Sequence, residues 1–310
     1  MTGAGPVMEV ARAAMGTVFA VQLSDPRGTL TAPLLDVHAR GALALALQVE
    51  RVCSRFDVTS ELSLLCATVN TPISASPMLF ELVALALTVA ESSDGAFDPT
   101  VGRAMAAAGF DRAWDSGELR SLPAPTNATW RDVHLDREAH TITLRAPLTL
   151  DLGAIAKGFA VDLITTAIDE TLVCSIHAGG DVRCRGPHPD TRAWRIGVRN
   201  PFRTDALIAT AHVMDGAVCT SGDYERPTSS GGHHLIDPRT GDVARGYASV
   251  SVAAPTAVIA DGLATAAFIL GPSVAPHWLD SHGVDALLVS DDRRVEIVAG
   301  AGTTRWELHV

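Results

Sequence analysis

The chain has 310 residues, of which 47% are hydrophobic and 19% charged, and its formal net charge at pH 7 is -11. A chain of this length and composition can bury one large hydrophobic core or two smaller ones, as soluble globular proteins do. The negative charge argues against a nucleic-acid partner or an anionic membrane surface, because both rely on clustered basic residues. It does not argue against a nucleotide ligand, which needs only a local positive pocket.

The N-terminal sequence and the cysteines bear on the compartment. Residues 1–23 contain no apolar run long enough for a secretory signal, and no stretch reaches about 18 uninterrupted apolar residues, so we expect no membrane span. The five cysteines are odd in number and never spaced as C-x-x-C, which fits neither a disulfide framework nor a zinc site. A pairing of Cys174 with Cys184 on adjacent strands stays open. We expect a cytoplasmic protein, although removal of a leader would produce the same pattern.

Hydrophobic periodicity predicts strands and helices in mixed order over the first half of the chain. Residues 10–25 alternate loosely and indicate one strand. Helical spacing follows over residues 35–56 and again over residues 78–95, where Gly95 is the stop signal. Polar residues and two prolines predict a surface loop at residues 115–130, which is the one candidate for an internal boundary.

The second half of the chain is richer in strand signals, with two helices predicted at residues 154–170 and 256–271. The strand signals lie at residues 130–153, 173–253, 286–290, 294–298 and 305–310. Two strand clusters interleaved with helices predict an α+β fold rather than a doubly wound parallel sheet. We expect residues 1–310 to form a single domain with a flexible loop at residues 115–130.

Lys157 is the only lysine in the chain, since every other basic residue of the Lys+Arg count is arginine. In the stretch "LDLGAIAKG" a strand ends at Asp151, Gly153 permits a tight turn, and a helix is predicted to begin near Ala154. Free N–H groups at a helix start attract anions, and a lysine one turn further on adds a mobile charge for a phosphate. The alternative is a solvated lysine on a helix that Asp151 caps. The P-loop and G-x-G-x-x-G spacings are absent.

The stretch "IADGLATAAF" places a carboxylate and a hydroxyl on one helical face, because Asp261 and Thr265 are four residues apart. Oxygen ligands of this kind suit a hard cation such as Mg²⁺, which also takes phosphate oxygens. The alternative is that Asp261 caps the helix while the Thr265 hydroxyl bonds back to the carbonyl four residues earlier.

Three further segments combine glycines with polar side chains: "GAFDPTVG" (95–102), "HAGGDVRCRG" (177–186) and "CTSGDYERPTSSGGHHLIDPRTG" (219–241). Adjacent histidines on a strand point to opposite faces, so His233 and His234 cannot easily bind one metal ion. One of the two rings would then face a site while the other is structural. Each segment taken singly is also explained by ordinary turns.

Taken together and in chain order, these segments resemble the ApbE family of flavin transferases. The segments that carry the resemblance span residues 15–271. They are "MGTVFAV" (15–21), "SRFDVTSELSLL" (54–65), "GAFDPTVG" (95–102), "LDLGAIAKGFAVD" (150–162), "HAGGDVRCRG" (177–186), "WRIGVRNP" (194–201), "TSGDYER" (220–226), "HHLIDPRTG" (233–241) and "ADGLATAAFILG" (260–271).

The resemblance implies a T-fold-related architecture of antiparallel sheets and flanking helices, with FAD in a groove between the strand-rich parts. It implies Mg²⁺-dependent protein flavinylation, a post-translational modification in which a threonine hydroxyl of an acceptor flavoprotein attacks the phosphorus nearest riboflavin and AMP leaves. Phosphoryl transfer of this kind requires the pyrophosphate to be positioned and its charge neutralised. The alternatives are an FAD pyrophosphatase, in which water replaces threonine, a protein that binds FAD without turnover, and a paralogue with an empty site.

The resemblance also assigns roles to residues of this chain. The metal ligands would be Asp261, Thr265 and the backbone carbonyl of Ala154. His234 is the first candidate for acid–base work, because a neutral imidazole near pH 7 can take the threonine proton, and Asp181 is the second. The FAD pocket would be lined by Met15, Phe56, Ala96, Phe97, Asp98, Asp151, Lys157 and Leu235.

Two departures from the family pattern qualify these roles. Phe56 stands where the family usually has tyrosine, so that ring stacking is kept and a hydroxyl is lost. Ala154 stands where glycine is frequent, which matters little when only its carbonyl is used. The acceptor motif of the family, an Asp-Gly followed by small residues and Ala-Thr, does not occur in the chain. We therefore expect the target threonine on another protein.

Overall fold

The structure is a computed structural model that describes residues 7–113, 116–223, 233–302 and 304–309. The strands are β1 Val7–Ala14, β2 Thr17–Ser24, β3 Ile73–Ser74, β4 Val133–Asp136, β5 Thr141–Leu144, β6 Val173–Ala178, β7 Asp181–Arg185, β8 Trp194–Asn200, β9 Arg203–Val213, β10 Gly216–Gly222, β11 Tyr247–Ala254, β12 Asp285–Ser290, β13 Val295–Val298 and β14 Arg305–Leu308. The helices are α1 Ala32–Cys53, α2 Glu61–Cys66, α3 Pro77–Ser92, α4 Gly102–Ala107, α5 Ala156–Ala167, α6 Ala257–Leu270 and α7 Ala275–Ser281, with a short 3₁₀ helix at Trp130–Asp132.

The strands form three antiparallel sheets. The largest has eight strands in the order β1-β2-β6-β7-β10-β11-β12-β13, and the other two have the orders β14-β9-β8 and β3-β5-β4. All neighbouring strands within these sheets are antiparallel. The combination of antiparallel sheets and flanking helices confirms the predicted α+β class.

The large sheet is covered on both faces. Helices α1, α5 and α6 pack on one face, and β8, β9 and β14 pack on the other through two smaller apolar clusters. All eight residues of β11 are buried, because a strand in the middle of a sheet covered on both sides has no solvent face. The helical face carries the main core, and a cavity lies on this side of the sheet.

The prediction of one strand over residues 10–25 was wrong. The segment is a hairpin, in which β1 and β2 pair from Val7 with Ser24 to Ala14 with Thr17. Its two-residue turn has positive φ angles at Met15 (52°) and Gly16 (75°), the requirement of the tight turn that suits a twisted hairpin. The alternation of side chains continues through such a turn, so periodicity alone did not show that the chain reverses.

The predictions for the later strand, the cysteine pair and the surface loop have different outcomes. At residues 233–238, where a strand was expected, the structure has isolated bridges instead, one of which joins Ile236 to Val243. Cys184 pairs in register with Ser175 rather than Cys174, so the two thiols lie on opposite faces of the sheet and both are free. Residues 116–129 add no helix and no strand to the three sheets. The flexibility of that loop and the single-domain organisation stay predictions.

Two close contacts fix how α5 lies against α6. A Cβ atom on Gly158 would lie 2.4 Å from the carbonyl oxygen of Ala257, so only glycine permits this approach. The Asp162 carboxylate accepts hydrogen bonds from the backbone N–H groups of Ala257 (2.9 Å) and Val258 (2.8 Å). It therefore caps the start of α6 from a neighbouring helix.

Among the described residues, no helix has both the length and the apolar character needed to cross a membrane.

Candidate active site

A cavity of about 420 Å³ opens beside the starts of α5 and α6 and the end of β10. Its walls are formed by the hairpin turn after β1, the end of α1, the loop after α3, the turn before α5 and the segment after residue 233. The predicted site residues that line it are Met15, Phe56, Ala96, Phe97, Asp98, Asp151, Ala154, Lys157, His234, Leu235, Asp261 and Thr265. Segments far apart in the chain thus meet at one site.

Lys157 lies at the base of this cavity between two buried carboxylates. Its Nζ atom is 2.9 Å from Asp181 Oδ2 and 3.2 Å from Asp261 Oδ2. Burial opposes the charged ammonium, but the two carboxylates outweigh it and hold the pKa of Lys157 above its usual range. When both carboxylates are ionised, the three groups together carry one negative charge. The solvated lysine of the alternative interpretation is therefore wrong.

Asp261 is a residue of the interior of α6 and not its cap. Its Oδ2 atom accepts a hydrogen bond of 3.0 Å from the backbone N–H of Gly158, in addition to the contact with Lys157. Burial and the neighbouring Asp181 raise the pKa of Asp261. One turn further on, the Thr265 hydroxyl lies 3.1 Å from Ser221 Oγ. The expected alternative, with a cap and a bond back along the helix, does not describe these residues.

The turn before α5 leaves the Ala154 carbonyl outside the helix. The helix begins at Ala156, two residues later than predicted, and the N–H four residues after Ala154 is that of Gly158. This N–H donates to Asp261 rather than to the Ala154 carbonyl. Ala154 lines the cavity, and its carbonyl does not accept this helical bond, as a backbone ligand requires.

These oxygen donors fit a hard cation. Asp261, Thr265 and the Ala154 carbonyl offer a carboxylate, a hydroxyl and a carbonyl, the ligands that Mg²⁺ prefers when substrate oxygens complete its shell. The Asp261 carboxylate, when ionised, would balance part of the cation's charge. In the described parts of the chain, no group of three or more His, Cys, Asp or Glu residues is arranged to hold a metal ion.

Arg55, which was not predicted as a site residue, joins three parts of the cavity wall. Its Nε atom donates to Asp151 Oδ2 at 2.6 Å, its Nη2 atom donates to the Phe110 carbonyl, and its guanidinium lies 4.1 Å from the centre of the Phe56 ring. The other Asp151 oxygen accepts the Gly153 N–H at 2.9 Å. Asp151 therefore stabilises the turn before α5, and the cap predicted as its alternative role is absent.

Asp98 and Met15 are held by the protein around them. The Asp98 carboxylate accepts bonds from the backbone of Thr100 (2.8 Å) and Trp130 (3.1 Å), and burial raises the pKa of this carboxyl. The Met15 N–H donates to Glu50 Oε1 at 2.8 Å. Both residues thus shape the wall, Asp98 through the turn of "GAFDPTVG" and Met15 through the hairpin.

The two histidines separate, as their adjacency predicted. His233 is turned to the protein, with its Nε2 atom 3.0 Å from the Ala244 carbonyl and its ring edge-on to Phe268 at 5.6 Å. His234 lines the cavity, and its ring meets the edge of Phe110 at 6.3 Å. The position suits the acid–base role, which stays a prediction. Residues 224–232 of the same polar segment lie outside the described residues.

Asp181 occupies a different position from the other predicted site residues. It is 1% exposed and absent from the cavity lining, since it lies behind Lys157. A carboxylate there contacts the lysine and not a ligand in the cavity. This geometry does not favour the predicted acid–base role and suits a counterion that positions Lys157.

A cavity with aromatic walls, a half-buried lysine and a set of hard oxygen donors in an α+β fold suits a phosphorylated ligand with an extended apolar part. The comparison with known proteins is more specific. The chain belongs to the ApbE family, whose model matches residues 15–288.

Similar proteins extend over nearly the whole chain. The FAD:protein FMN transferase of Treponema pallidum (strain Nichols) is 36% identical over 332 residues, covering 96% of this chain and 89% of that protein. The enzyme of the same name from Haemophilus influenzae is 29% identical over 303 residues, covering 91% and 86%. The crystal structure of the ApbE protein from Thermotoga maritima superposes with a TM-score of 0.83 at 31% identity, covering 94% of this chain and 96% of that one.

Proposed function

We propose that the chain is an FAD:protein FMN transferase that uses Mg²⁺ and moves FMN from FAD to a threonine hydroxyl of an acceptor protein, with release of AMP. The observation that carries the proposal is the meeting of Lys157, Asp261 and Thr265 at the base of one cavity. The names of the similar transferases support the same activity.

The reaction forms one bond and breaks one. The acceptor hydroxyl oxygen bonds to the phosphorus nearest riboflavin, while the bond from that phosphorus to the bridging oxygen breaks. The bridging oxygen leaves with AMP, and the hydroxyl proton passes to a base, for which His234 is the candidate because it lines the cavity. Mg²⁺, held by Asp261, Thr265 and the Ala154 carbonyl, would supply charge neutralisation at the pyrophosphate.

The remaining residues bind and orient the donor. Lys157 offers ammonium N–H donors to a phosphate, and Asp181 behind it keeps the ammonium charged and in place. The Phe56 ring, which lies against the Arg55 guanidinium, presents an apolar face suited to a flat flavin ring. A cavity with an aromatic wall and charged residues at its bottom matches a ligand that carries a flat ring and a pyrophosphate.

The test is to incubate the protein with FAD and MgCl₂, with and without an acceptor that carries the Asp-Gly…Ala-Thr motif. AMP is measured by chromatography and the acceptor by mass spectrometry. The proposal requires AMP and an acceptor heavier by one FMN, and neither change when the acceptor threonine is replaced by valine. AMP release at the same rate without acceptor would instead show an FAD pyrophosphatase, and bound FAD without AMP would show a binding protein.

A further inference from the structure

The last residues of β10 bring a second hydroxyl to the proposed metal ligands. Ser221 Oγ lies 3.1 Å from Thr265 Oγ1, and the two residues are 9% and 5% exposed. Within the described ranges, neither the Ser221 hydroxyl nor the Thr265 hydroxyl makes another hydrogen bond. Ser221 also lines the cavity, although no role was predicted for it from the sequence.

We propose that Ser221 positions Thr265 for metal binding: Ser221 Oγ accepts a hydrogen bond from the Thr265 hydroxyl, so that a Thr265 lone pair is directed into the cavity. The inference rests on the proposed function, because it assumes a cation bound by Asp261 and Thr265. In this role Ser221 orients one metal ligand, the Thr265 hydroxyl, through its Oγ atom.

The chemistry of a hydroxyl ligand requires such a partner. A hydroxyl has one proton and two lone pairs, and a lone pair given to a cation leaves the proton pointing elsewhere. In a buried site, a hydroxyl proton that lacks an acceptor is unfavourable, because the free-energy cost of removing the hydroxyl from water is not compensated. Ser221 Oγ is the acceptor within reach of the Thr265 hydroxyl.

The surrounding packing indicates that this hydroxyl pair is not needed to hold the strand. Ala217, Cys219 and Ser221 occupy every second position of β10 and therefore lie on the same face of the strand. Ala217 and Cys219 belong to the main core, and the Cys219 thiol donates to the Ala257 carbonyl at 3.4 Å. An apolar residue would serve packing equally well at the third position. The polar residue stands at the end of the row that meets the cavity.

The neighbouring residue offers a matched control. Thr220 Oγ1 lies 2.8 Å from Ser251 Oγ, in a second hydroxyl pair that links β10 to β11. Ser251 is fully buried and does not line the cavity. Ser251→Ala therefore removes the β11 hydroxyl of this second pair and keeps Thr220, which itself lines the cavity, and both proposed ligands.

The experiment compares the wild type, Ser221→Ala, Ser221→Thr and Ser251→Ala over a range of MgCl₂ concentrations. Two quantities are measured: the rate of AMP release from FAD with acceptor, and FAD binding by fluorescence anisotropy without acceptor. We expect Ser221→Ala to raise the half-saturating Mg²⁺ concentration about tenfold in both, as loss of groups that orient metal ligands commonly does. The kcat at saturating Mg²⁺ should stay near that of the wild type. Ser221→Thr and Ser251→Ala should keep the wild-type Mg²⁺ dependence.

The outcomes separate this inference from the proposed function. A Mg²⁺-dependent wild type together with an unchanged Mg²⁺ dependence in Ser221→Ala overturns the inference alone. An equal shift in Ser251→Ala also overturns it, because the effect would then be general loosening of β10. A wild type that ignores Mg²⁺ overturns the proposed function and the inference with it. Circular dichroism confirms folding, and Ser221→Cys replaces Ser221→Ala in the comparison if the alanine variant does not fold.

Discussion

At the scale of single residues, the position of Lys157 between Asp181 and Asp261 sets the electrostatics of the cavity. Its side chain is 20% exposed, whereas Arg40, which pairs with Asp36 on α1, is 65% exposed. An ammonium is compact and offers three donors in rotatable positions, while a guanidinium is planar and wider. The one lysine of the chain thus lies where a compact ammonium can contact two carboxylates and a bound ligand at the same time.

Lys157→Arg is expected to lower the turnover of FAD about a hundredfold, because the wider head group displaces Asp261 or blocks the phosphate position, and small misplacements of reacting groups have effects of this size. The steady-state rate of AMP release with acceptor measures it. The control is the reverse exchange, Arg40→Lys, which should leave the rate unchanged. Wild-type turnover in Lys157→Arg would mean that the lysine reflects composition alone.

Asp261→Ala is expected to abolish Mg²⁺-dependent turnover while the protein stays folded. The variant keeps Lys157 paired with Asp181, so no buried charge is left alone, and the loss falls on the cation. The comparison is Asp285→Asn, at a buried carboxylate that accepts the Gly300 N–H (2.9 Å) away from the cavity. That variant should be less stable yet keep its Mg²⁺ dependence. Activity of Asp261→Ala at the wild-type level would contradict the metal assignment.

At the scale of elements, α5 and α6 were predictable as helices because their apolar periodicity is strong, but their contact was not. Gly158 has no local signal that separates it from any helical glycine, and its N–H bonds with Asp261, which is 103 residues away in the chain. This bond also explains why α5 begins later than predicted. The same limit applies to the ion pair of Arg55 with Asp151. Local patterns predict elements, whereas pairs between distant segments need the fold.

Gly158→Ala should separate the two helices and impair the site from outside the ligand set. The added Cβ atom would lie 2.4 Å from the Ala257 carbonyl oxygen and 2.9 Å from the Asp261 Cβ atom. Overpacking of this kind lowers the free energy of unfolding by about 1–3 kcal/mol. Urea unfolding measures it, and the affinity for Mg²⁺ should fall in parallel.

The control for this helix contact is Gly41→Ala in α1, where an added Cβ atom meets nothing within 4 Å. Alanine there should raise the free energy of unfolding by up to about 1 kcal/mol, since glycine is a poor residue for a helix interior. Equal stability changes in the two variants would show that the close approach of α5 and α6 has no energetic consequence.

At the scale of the whole molecule, the chain is layered, with the cavity on the helical side of the large sheet and the β14-β9-β8 sheet on the other. The class of fold followed from the order of strands and helices, and the positions of most site residues followed from the ordered motifs. The strand order did not, because Asp181 lies behind Lys157 only through the position of β7 beneath α5. Motif order predicts which residues share a site, but not which of them reach its surface.

The layered arrangement predicts that stability and function can be separated. Trp306 on β14 packs against both apolar clusters between the two sheets and does not line the cavity. Trp306→Ala should lower the free energy of unfolding by about 3 kcal/mol, at the low end for a large core residue because the side chain is only partly buried. Leu308→Ala, on the same strand but 40% exposed, should lower it by less than about 1 kcal/mol. Both variants should retain wild-type KM for FAD at 25 °C, since the cavity lies across the sheet; a raised KM in Trp306→Ala but not in Leu308→Ala would show that the two layers are coupled.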